Sequence, residues 1–294
     1  ELPYAYVKVA EGCDKPCTFC AIPLIRGKQR SRRPINIMEE VRALVEAGVT
    51  EVVLVAQDLA AYGRDIDAPG GLVELIQLLD EVGGLRRMRL LYLYPKEIRP
   101  ALISEIAGNP KVASYFDLSL QHSVERLLRG MKRPGSGPRY LELIDHIRIA
   151  DPAAALRSSF IVGFPGETDD NVEDLAKFLD EARLDWGGFF PYSAEDGTSA
   201  ATMSKRPDRD SVSERLRYLQ AIQEEITASA NSQMVGRTVE VLIDQVEDNV
   251  PVGRSYREAP EIDGVITVDR GKPGDWVTVE ITAAYGPDLE GIAI

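Results

Sequence analysis

Residues 4–20, YAYVKVAEGCDKPCTFC, contain a short strand pattern that leads directly into a loop with three cysteines. Cys13, Cys17 and Cys20 have C-x3-C-x2-C spacing. Thiolates are soft, negatively charged donors and are the usual protein ligands of iron–sulfur clusters. Three of them on one short loop can bind three corners of a [4Fe–4S] cluster. Because the sequence contains no further cysteine, the fourth corner is expected to stay open for an external ligand.

A structural zinc site is the alternative interpretation of this loop. Such sites normally have four protein ligands, commonly arranged as two pairs. With three cysteines available, His122 would have to act as a distant fourth ligand. In that case the chain would be a non-catalytic, zinc-stabilised binding module. The spacing favours the iron–sulfur cluster.

The rest of residues 1–230 repeats a strand-then-helix order. Near-continuous apolar strands, such as EVVLVA at 51–56, alternate with segments whose apolar residues recur on one helical face. This pattern predicts a parallel sheet covered by helices, and right-handed crossovers curl such a sheet into a barrel or partial barrel. We therefore predict an α/β fold, a partial (β/α)6 TIM-like barrel. Its chemistry belongs at the carboxyl ends of the strands, where the cysteine loop begins.

The pattern changes in the last part of the chain. Residues 231–294 contain short β runs, including TVEVLIDQV and WVTVEITA, separated by turn residues. They predict a second domain, a small all-β barrel, after a core domain at 1–230. The small domain has 12 acidic and 5 basic residues, a net charge of −7.

Charge and cysteine usage limit the partners and the compartment. The 294-residue chain has a net charge of −13, which disfavours generic nucleic-acid binding and suits a basic partner. It has no apolar run long enough to cross a bilayer. Three clustered cysteines are not a disulfide framework, so we expect reduced thiols and a cytoplasmic location. A start at Glu1 without a methionine suggests an excised fragment.

Several motifs carry a resemblance to a known family. The chain resembles the radical SAM (S-adenosylmethionine) methylthiotransferases over nearly all of its length in five segments: EGCDKPCTFCAIPLIRGKQRSRRP, LVAQDLAAYG, LYLYP, LQHSVERLLRGMKRP and FIVGFPGET. The resemblance implies that SAM binds the open iron through its amine and carboxylate. An electron from the cluster then cleaves SAM to methionine and a 5′-deoxyadenosyl radical, which abstracts a hydrogen atom. No catalytic side chain is expected beyond the cluster and SAM.

The small domain points to one branch of this family. It resembles a TRAM domain, and its segment GRSYREAPEIDG resembles the ribosomal-protein branch, the RimO type. Those enzymes add a methylthio group to the β-carbon of one aspartate in protein twelve of the small ribosomal subunit. The alternative is the MiaB type, which modifies a tRNA adenosine. An acidic small domain should repel tRNA and attract a basic ribosomal protein, so it favours the first branch.

The sequence departs from the family pattern before the cysteine loop. The family has an N-terminal domain with three more cysteines, which bind a second [4Fe–4S] cluster associated with sulfur delivery. Only 12 residues precede Cys13 here. We therefore expect the second cluster only in a full-length protein. The chain as given is expected to cleave SAM without completing sulfur insertion.

Three residues near the cysteine loop or at strand ends are candidate SAM contacts. The resemblance places Phe19 beside the adenine, although core packing is the alternative, and Gln57 near the SAM amino group, although it can also cap a strand end. Gln121 and its neighbour His122 end a strand, from which Gln121 can reach SAM or orient the substrate. For His122, a buried structural imidazole is the favoured interpretation.

Two further candidates lie on the next predicted strand. The Arg157 guanidinium can hold the SAM carboxylate through two hydrogen bonds, although the start of a strand is the opposite end of the barrel. Gly163 lets the backbone approach a ligand closely, and the resemblance places its loop against the adenine. The basic run 26–33 is interpreted as the docking site of a flavodoxin-type electron donor or as a solvated face, with tRNA binding less favoured.

Overall fold

Six parallel strands and the helices around them hold the cysteine loop in the computed structural model, which describes residues 2–294. The strands of this first unit, in chain order, are β1 (Tyr4–Lys8), β2 (Ala10–Glu11), β3 (Arg30–Ser31), β4 (Glu51–Val55), β5 (Arg87–Leu90), β6 (Tyr115–Gln121), β7 (Ala155–Val162) and β8 (Trp186–Pro191). The helices are α1 (Ile22–Arg26), α2 (Pro34–Glu46), α3 (Gly71–Asp80), α4 (Pro100–Gly108), α5 (Glu125–Gly130), α6 (Gly137–Ala150), α7 (Asp169–Ala182) and α8 (Arg209–Ser232).

The six long strands form a partial barrel. β1, β4 and β5 pair in parallel in one sheet, and β6, β7 and β8 pair in parallel in another. Two parallel bridges, Met88 with Val112 and Leu93 with Leu118, join the sheets. At least one helix follows each of the six strands. This arrangement confirms the predicted α/β partial (β/α)6 barrel.

Side-chain alternation divides each strand between the helices and the barrel interior. In β4, Val52 and Leu54 belong to the large core formed with the helices. Val53 instead belongs to a smaller interior cluster with Tyr115 and with Ala259 from the end of the chain. The barrel interior is therefore partly filled by residues of the C-terminal unit.

The C-terminal unit is a closed five-stranded barrel. Its strands are β9 (Thr238–Glu247), β10 (Val250–Arg254), β11 (Ile266–Val268), β12 (Trp276–Tyr285) and β13 (Asp288–Ala293), in the order β10-β11-β13-β12-β9. Alternate residues such as Val241, Ile243, Val279 and Ile281 fill its core. The small all-β barrel predicted from the turn-rich pattern is thus present.

A buried cluster of charges joins the two units at the amino ends of the large barrel's strands. Glu51, at the start of β4, accepts hydrogen bonds from Arg89 Nε and Arg254 Nη1, both at 3.1 Å. Arg87 lies 3.4 Å from the same carboxylate. Burial alone would raise the pKa of Glu51, but the charges of Arg254, Arg89 and Arg87 lower it to about 2. The cluster therefore holds an ionised carboxylate in the interior.

The segment 259–263 closes the same end of the barrel. Tyr4 donates a hydrogen bond to Glu261 Oε1 at 3.0 Å, and Tyr6 donates one to the Pro260 carbonyl at 3.2 Å. Tyr115 donates to Asp263 Oδ2 at 2.5 Å. These contacts with β1 and β6 fix the small barrel against the large one. Among residues 2–294, no helix is both long enough and apolar enough to cross a membrane.

Candidate metal and cofactor site

The three cysteines line one cavity at the carboxyl ends of the parallel strands. The sequence analysis predicted the cysteine loop at this end of the barrel. The cavity has a volume of about 340 Å³. Its lining residues come from the cysteine loop and from the ends of β4, β5 and β6: Cys13, Lys15, Cys17, Phe19, Cys20, Ile22, Ala56, Gln57, Tyr92, Tyr94, Ser119, Gln121 and Arg133. This is the size range of small-molecule and cofactor sites.

Backbone hydrogen bonds fix the position of the cysteine loop. Gly12 has φ +84°, and a Cβ there would lie 2.2 Å from the Lys28 carbonyl oxygen, so only glycine fits. Its N–H donates to Gln57 Oε1 at 2.8 Å. At the other end of the loop, Thr18 donates through its N–H to Met131 O at 3.1 Å and through its hydroxyl to Gly130 O at 2.9 Å. The loop is therefore held from β4 and from α5.

The three cysteines line one cavity, so a single metal group in that cavity could bind all of them. Soft thiolates are the usual ligands of iron–sulfur clusters, and three of them leave one corner of a four-iron cluster open. Burial raises the pKa of the Cys13 and Cys20 thiols, so a cluster would bind with loss of their protons.

Arg133 carries a positive charge to the thiols. Its Nη1 lies 3.5 Å from Cys17 Sγ, its Nη2 donates to the Ser119 carbonyl, and the guanidinium lies 4.3 Å from the Tyr94 ring centroid. The side chain is buried, and its Nε–H has no hydrogen-bond partner among residues 2–294. A buried donor without an acceptor is costly unless a ligand supplies one. This orphaned N–H is consistent with an anionic or sulfur-containing ligand in the cavity.

A second cation on the loop is balanced by carboxylates. Lys15 forms ion pairs with Glu97 and, at 3.2 Å, with Asp58. Burial raises the pKa of Asp58 despite this pairing. The pKa of Glu97 falls to about 2, because hydrogen bonds from Arg64 and Lys15 outweigh the effect of its burial. Lys15 therefore has less free charge to offer a ligand than Arg133.

Three of the five predicted cofactor contacts line the cavity. Phe19, Gln57 and Gln121 all contribute to its wall. Gln121 has φ +71°, and the pairing of β6 with β7 shifts register just before it. This irregularity turns the end of the strand toward the cavity. The position of these residues agrees with the sequence expectation, and their role in binding stays a prediction.

Arg157 lies elsewhere, which corrects the expectation that it contacts the ligand. Its Nη1 donates to Asp117 at 3.1 Å and its Nε to Asp263 of the small barrel at 3.3 Å. Both carboxylates lie toward the amino ends of the strands. Since Arg157 is near the start of β7, its side chain joins the two units and does not line the cysteine cavity.

Gly163 supports the loop after β7 and does not line the cavity. It has φ +83°, and a Cβ there would meet Val212 of α8 at 2.5 Å. Its N–H donates to Glu167 Oε1 at 2.9 Å. The buried His122 accepts the N–H groups of Ser123 and Val124 at Nδ1, and its Nε2 lies 3.5 Å from Glu167 Oε2. The structure therefore gives Gly163 a packing constraint against α8, and His122 a buried position beside the same loop.

Sequence analysis missed Lys15, Tyr92, Tyr94, Ser119 and Arg133 as lining residues. Tyr92 and Tyr94 belong to the segment LYLYP, directly after β5, so their position at a strand end was an available signal. Arg133 follows helix α5 and lies far from the cysteines in sequence, so nothing local in the sequence indicated its position.

Comparison with protein families matches both units. The pattern of the Radical SAM superfamily matches residues 7–179, and that of the TRAM domain matches residues 235–294. Similar curated proteins include the ribosomal protein uS12 methylthiotransferase RimO of Salinispora arenicola, 45% identical over 99% of this chain and 59% of that protein. The RimO of Aquifex aeolicus is 43% identical over 98% of this chain and 68% of that protein. The chain thus spans 59% of the length of the first of these relatives.

Solved structures show the same fold at low sequence identity. Coproporphyrinogen III oxidase of Escherichia coli, described as a radical SAM enzyme, superposes with a TM-score of 0.60 and 14% identity, covering 95% of this chain and 67% of that one. The methyltransferase TsrM of Kitasatospora setae, with cobalamin and a [4Fe–4S] cluster bound, gives a TM-score of 0.54 at 16% identity, covering 64% of this chain and 36% of that one.

Proposed function

Because this chain belongs to the radical SAM superfamily and, within it, to the RimO-type methylthiotransferases, we propose that it is the catalytic core of an enzyme that methylthiolates an aspartate of ribosomal protein uS12. The observation that carries this proposal is the cysteine cavity: three cysteines and the buried Arg133 line one cavity at the carboxyl ends of a partial barrel. The proposed modification is addition of a methylthio group to the β-carbon of the aspartate.

The chain's own residues suit the proposed cofactors. Cys13, Cys17 and Cys20 would hold a [4Fe–4S] cluster and leave one iron free for SAM. When bound, this pair supplies reductive cleavage of SAM and hence a radical that abstracts hydrogen. Gln57 fixes the loop through the Gly12 N–H, and Phe19 contributes an apolar wall. Arg133 would balance the negative charge of the thiolates and the SAM carboxylate.

Charge supports a basic protein as the substrate. The chain has a net charge of −13, and the small barrel contributes −7 of it. A basic ribosomal protein is attracted to such a surface, whereas the phosphates of tRNA are repelled. The basic run 26–33 does not reverse this balance, since Arg26 pairs with Glu11 and Arg32 with Glu40. We propose that this run receives an acidic, flavodoxin-type electron donor.

Anaerobic reconstitution with iron and sulfide tests the cofactor assignment. We expect about four irons per chain, as one cubane cluster requires, and dithionite-dependent formation of 5′-deoxyadenosine from SAM. A protein that instead retains one zinc and no iron would overturn it.

Binding assays test the substrate assignment. Purified uS12 should bind the reconstituted chain, and total tRNA should bind weakly. Tight tRNA binding that weakens steeply with salt, without affinity for uS12, would favour the tRNA-modifying alternative.

A further inference from the structure

A second cavity adjoins the cysteine cavity inside the barrel. It has a volume of about 400 Å³ and lies between β1, the ends of β4 and β5, and the small barrel. Its lining residues are Tyr6, Lys8, Val55, Ala56, Gln57, Leu91, Tyr92, Glu261 and Ile262. Ala56, Gln57 and Tyr92 also line the cysteine cavity. A group in the second cavity is therefore next to whatever occupies the first.

The barrel's alternation directs Lys8 into this cavity. Tyr4, Tyr6 and Lys8 occupy alternate positions of β1, and both tyrosines contact the segment that closes the barrel. Val7, on the opposite face, is fully buried in the core with the helices. Lys8 is the last residue of the strand, so its ammonium lies at the carboxyl end, on the side of the cysteine loop.

The Lys8 ammonium is weakly held. Its side chain is 54% exposed, and its ion pair with Glu11 is long, at 3.4 Å. Glu11 also pairs with Arg26, which competes for the same carboxylate. Exposed pairs of this kind contribute little to stability, so exchanging Glu11 for another anion costs little. Lys8 can therefore leave Glu11 to bind a ligand.

Other cations near the two cavities are already engaged. Lys15 is paired with Asp58 and Glu97, and Arg133 lies against Cys17 and the Ser119 carbonyl. In the described chain, Lys8 is the one cationic side chain lining the second cavity. No ion pair within 4.0 Å joins it to Glu261, whose Oε1 accepts the Tyr4 hydroxyl. A carboxylate entering this cavity would therefore meet Lys8 as its counter-charge.

The small barrel supplies the opposite wall. Ile262 is 46% exposed although it is large and apolar, and it lines both this cavity and the larger one beside β8. The hydrogen bonds of Tyr4 and Tyr6 hold its segment in place. An apolar wall facing a cation gives a site for a short acidic side chain and its backbone, with water partly excluded.

We propose that this second cavity is the substrate site and that Lys8 binds the β-carboxylate of the aspartate to be modified. The inference rests on the proposed function and deepens it. A carboxylate bound at Lys8 would put the adjoining β-carbon in a cavity that shares Ala56, Gln57 and Tyr92 with the cysteine cavity, where bound cluster and SAM would supply the radical. It also favours a carboxylate-bearing side chain over an adenine base, because only the carboxylate carries a charge opposite to that of the ammonium.

Binding of uS12 to the reconstituted chain in the presence of SAM tests the site. We expect Lys8→Gln to raise the dissociation constant for uS12 about 10-fold or more, the effect of losing a hydrogen bond to a charged group, and Lys8→Arg to restore most of it. The matched control, Lys177→Gln, removes another exposed, weakly paired lysine charge, this one from α7, and should leave binding unchanged. SAM cleavage without substrate should be the same in wild type and in Lys177→Gln, because Lys177 lines neither cavity.

A substrate variant separates a specific contact from general charge attraction. A uS12 in which the target aspartate is replaced by asparagine should bind wild type and Lys8→Gln equally. If Lys8→Gln weakens both substrates to the same degree, or neither, the assignment of Lys8 is wrong while the proposed function stands. If the wild-type chain cleaves SAM but has no affinity for uS12, the proposed substrate is wrong and the inference fails with it.

Discussion

The two ends of the large barrel differ in how completely their buried charged groups are paired. At the amino ends of the strands, Glu51 is surrounded by Arg87, Arg89 and Arg254, and the arginines also donate to carbonyls of the small barrel such as Ser255 O. At the carboxyl ends, Asp58 Oδ2 is held by the Lys15 ammonium at 3.2 Å, but Asp58 Oδ1 and Arg133 Nε are buried without a hydrogen-bond partner among residues 2–294. The first end is a closed joint between two units, and the second is a site prepared for a ligand.

This difference shows how buried charges divide between structure and function. A buried ion is tolerated when surrounding donors and acceptors replace water, and the complete pairing around Glu51 meets that condition. Unsatisfied groups are costly, and they persist where a ligand satisfies them. The unpartnered atoms of Arg133 and Asp58 near the cysteines agree with a ligand site at that end. Orphaned atoms also occur at Glu258 and Gln223, away from that end, so the cavity is needed as second evidence.

The largest effect is expected for Cys17→Ala at the functional end. Loss of one of three thiolate ligands should reduce iron content to a small fraction and lower SAM cleavage at least about 100-fold. Stability of the metal-free chain should change by less than about 1 kcal/mol, because the cysteine is only half-buried. Iron analysis, 5′-deoxyadenosine formation and urea unfolding measure the three quantities. Retained SAM cleavage would refute the site.

The reverse result is expected for Glu51→Gln at the structural end. Arg87 and Arg89 would lose their counter-charge and Arg254 would keep only Asp244, which should lower the free energy of unfolding by about 3–5 kcal/mol. The matched control is Glu125→Gln, whose exposed pair with Arg129 at 3.0 Å should contribute less than about 1 kcal/mol. Urea unfolding measures both. Equal effects of the two variants would contradict the described role of the cluster.

The pH dependence of stability tests the structural end of the barrel at Asp263, in the segment that closes it. Burial raises its pKa to about 6, against the lowering effects of Arg157 and of the Tyr115 hydrogen bond. A raised pKa means that the folded state holds the proton more tightly, so this contribution to stability is present below pH about 4 and is lost as pH rises through 6. Wild type should therefore lose about 2–3 kcal/mol relative to Asp263→Asn between pH 4 and 7. If the free energies of unfolding of wild type and Asp263→Asn differ by the same amount at every pH from about 4 to 7, the predicted effect of Asp263 protonation is excluded.

The smallest effect is expected for Arg133→Met. The thioether keeps much of the packing but removes the charge near Cys17, so SAM affinity of the reconstituted chain should fall about 10-fold. Arg133→Lys should retain part of the affinity, because the charge remains but the fixed fork of donors does not. Equilibrium binding of SAM, with iron content as the control, measures the change. Unchanged SAM affinity in Arg133→Met would show that the guanidinium has only a structural role and does not contribute to SAM binding.

Sequence reasoning predicted the fold and the location of the three cysteines more readily than the other residues of the cavity wall. Cys13, Cys17 and Cys20 are close in the chain, so their spacing alone predicted a cluster-binding loop. Arg157 was misplaced because a guanidinium looks equally suited to a ligand or to an ion pair, and only the structure shows Asp117 and Asp263 beside it.

The sequence by itself determined the three-thiol loop, the α/β partial barrel and the small acidic β barrel after it. These depend on local spacing and on hydrophobic periodicity, which are properties of neighbouring residues. Only the tertiary structure decided that Arg133 lies against Cys17, that segment 259–263 closes the barrel, and that Lys8 faces a cavity next to the cysteines. Those positions depend on how the strands curl and on where the small barrel docks, which bring together residues far apart in the chain.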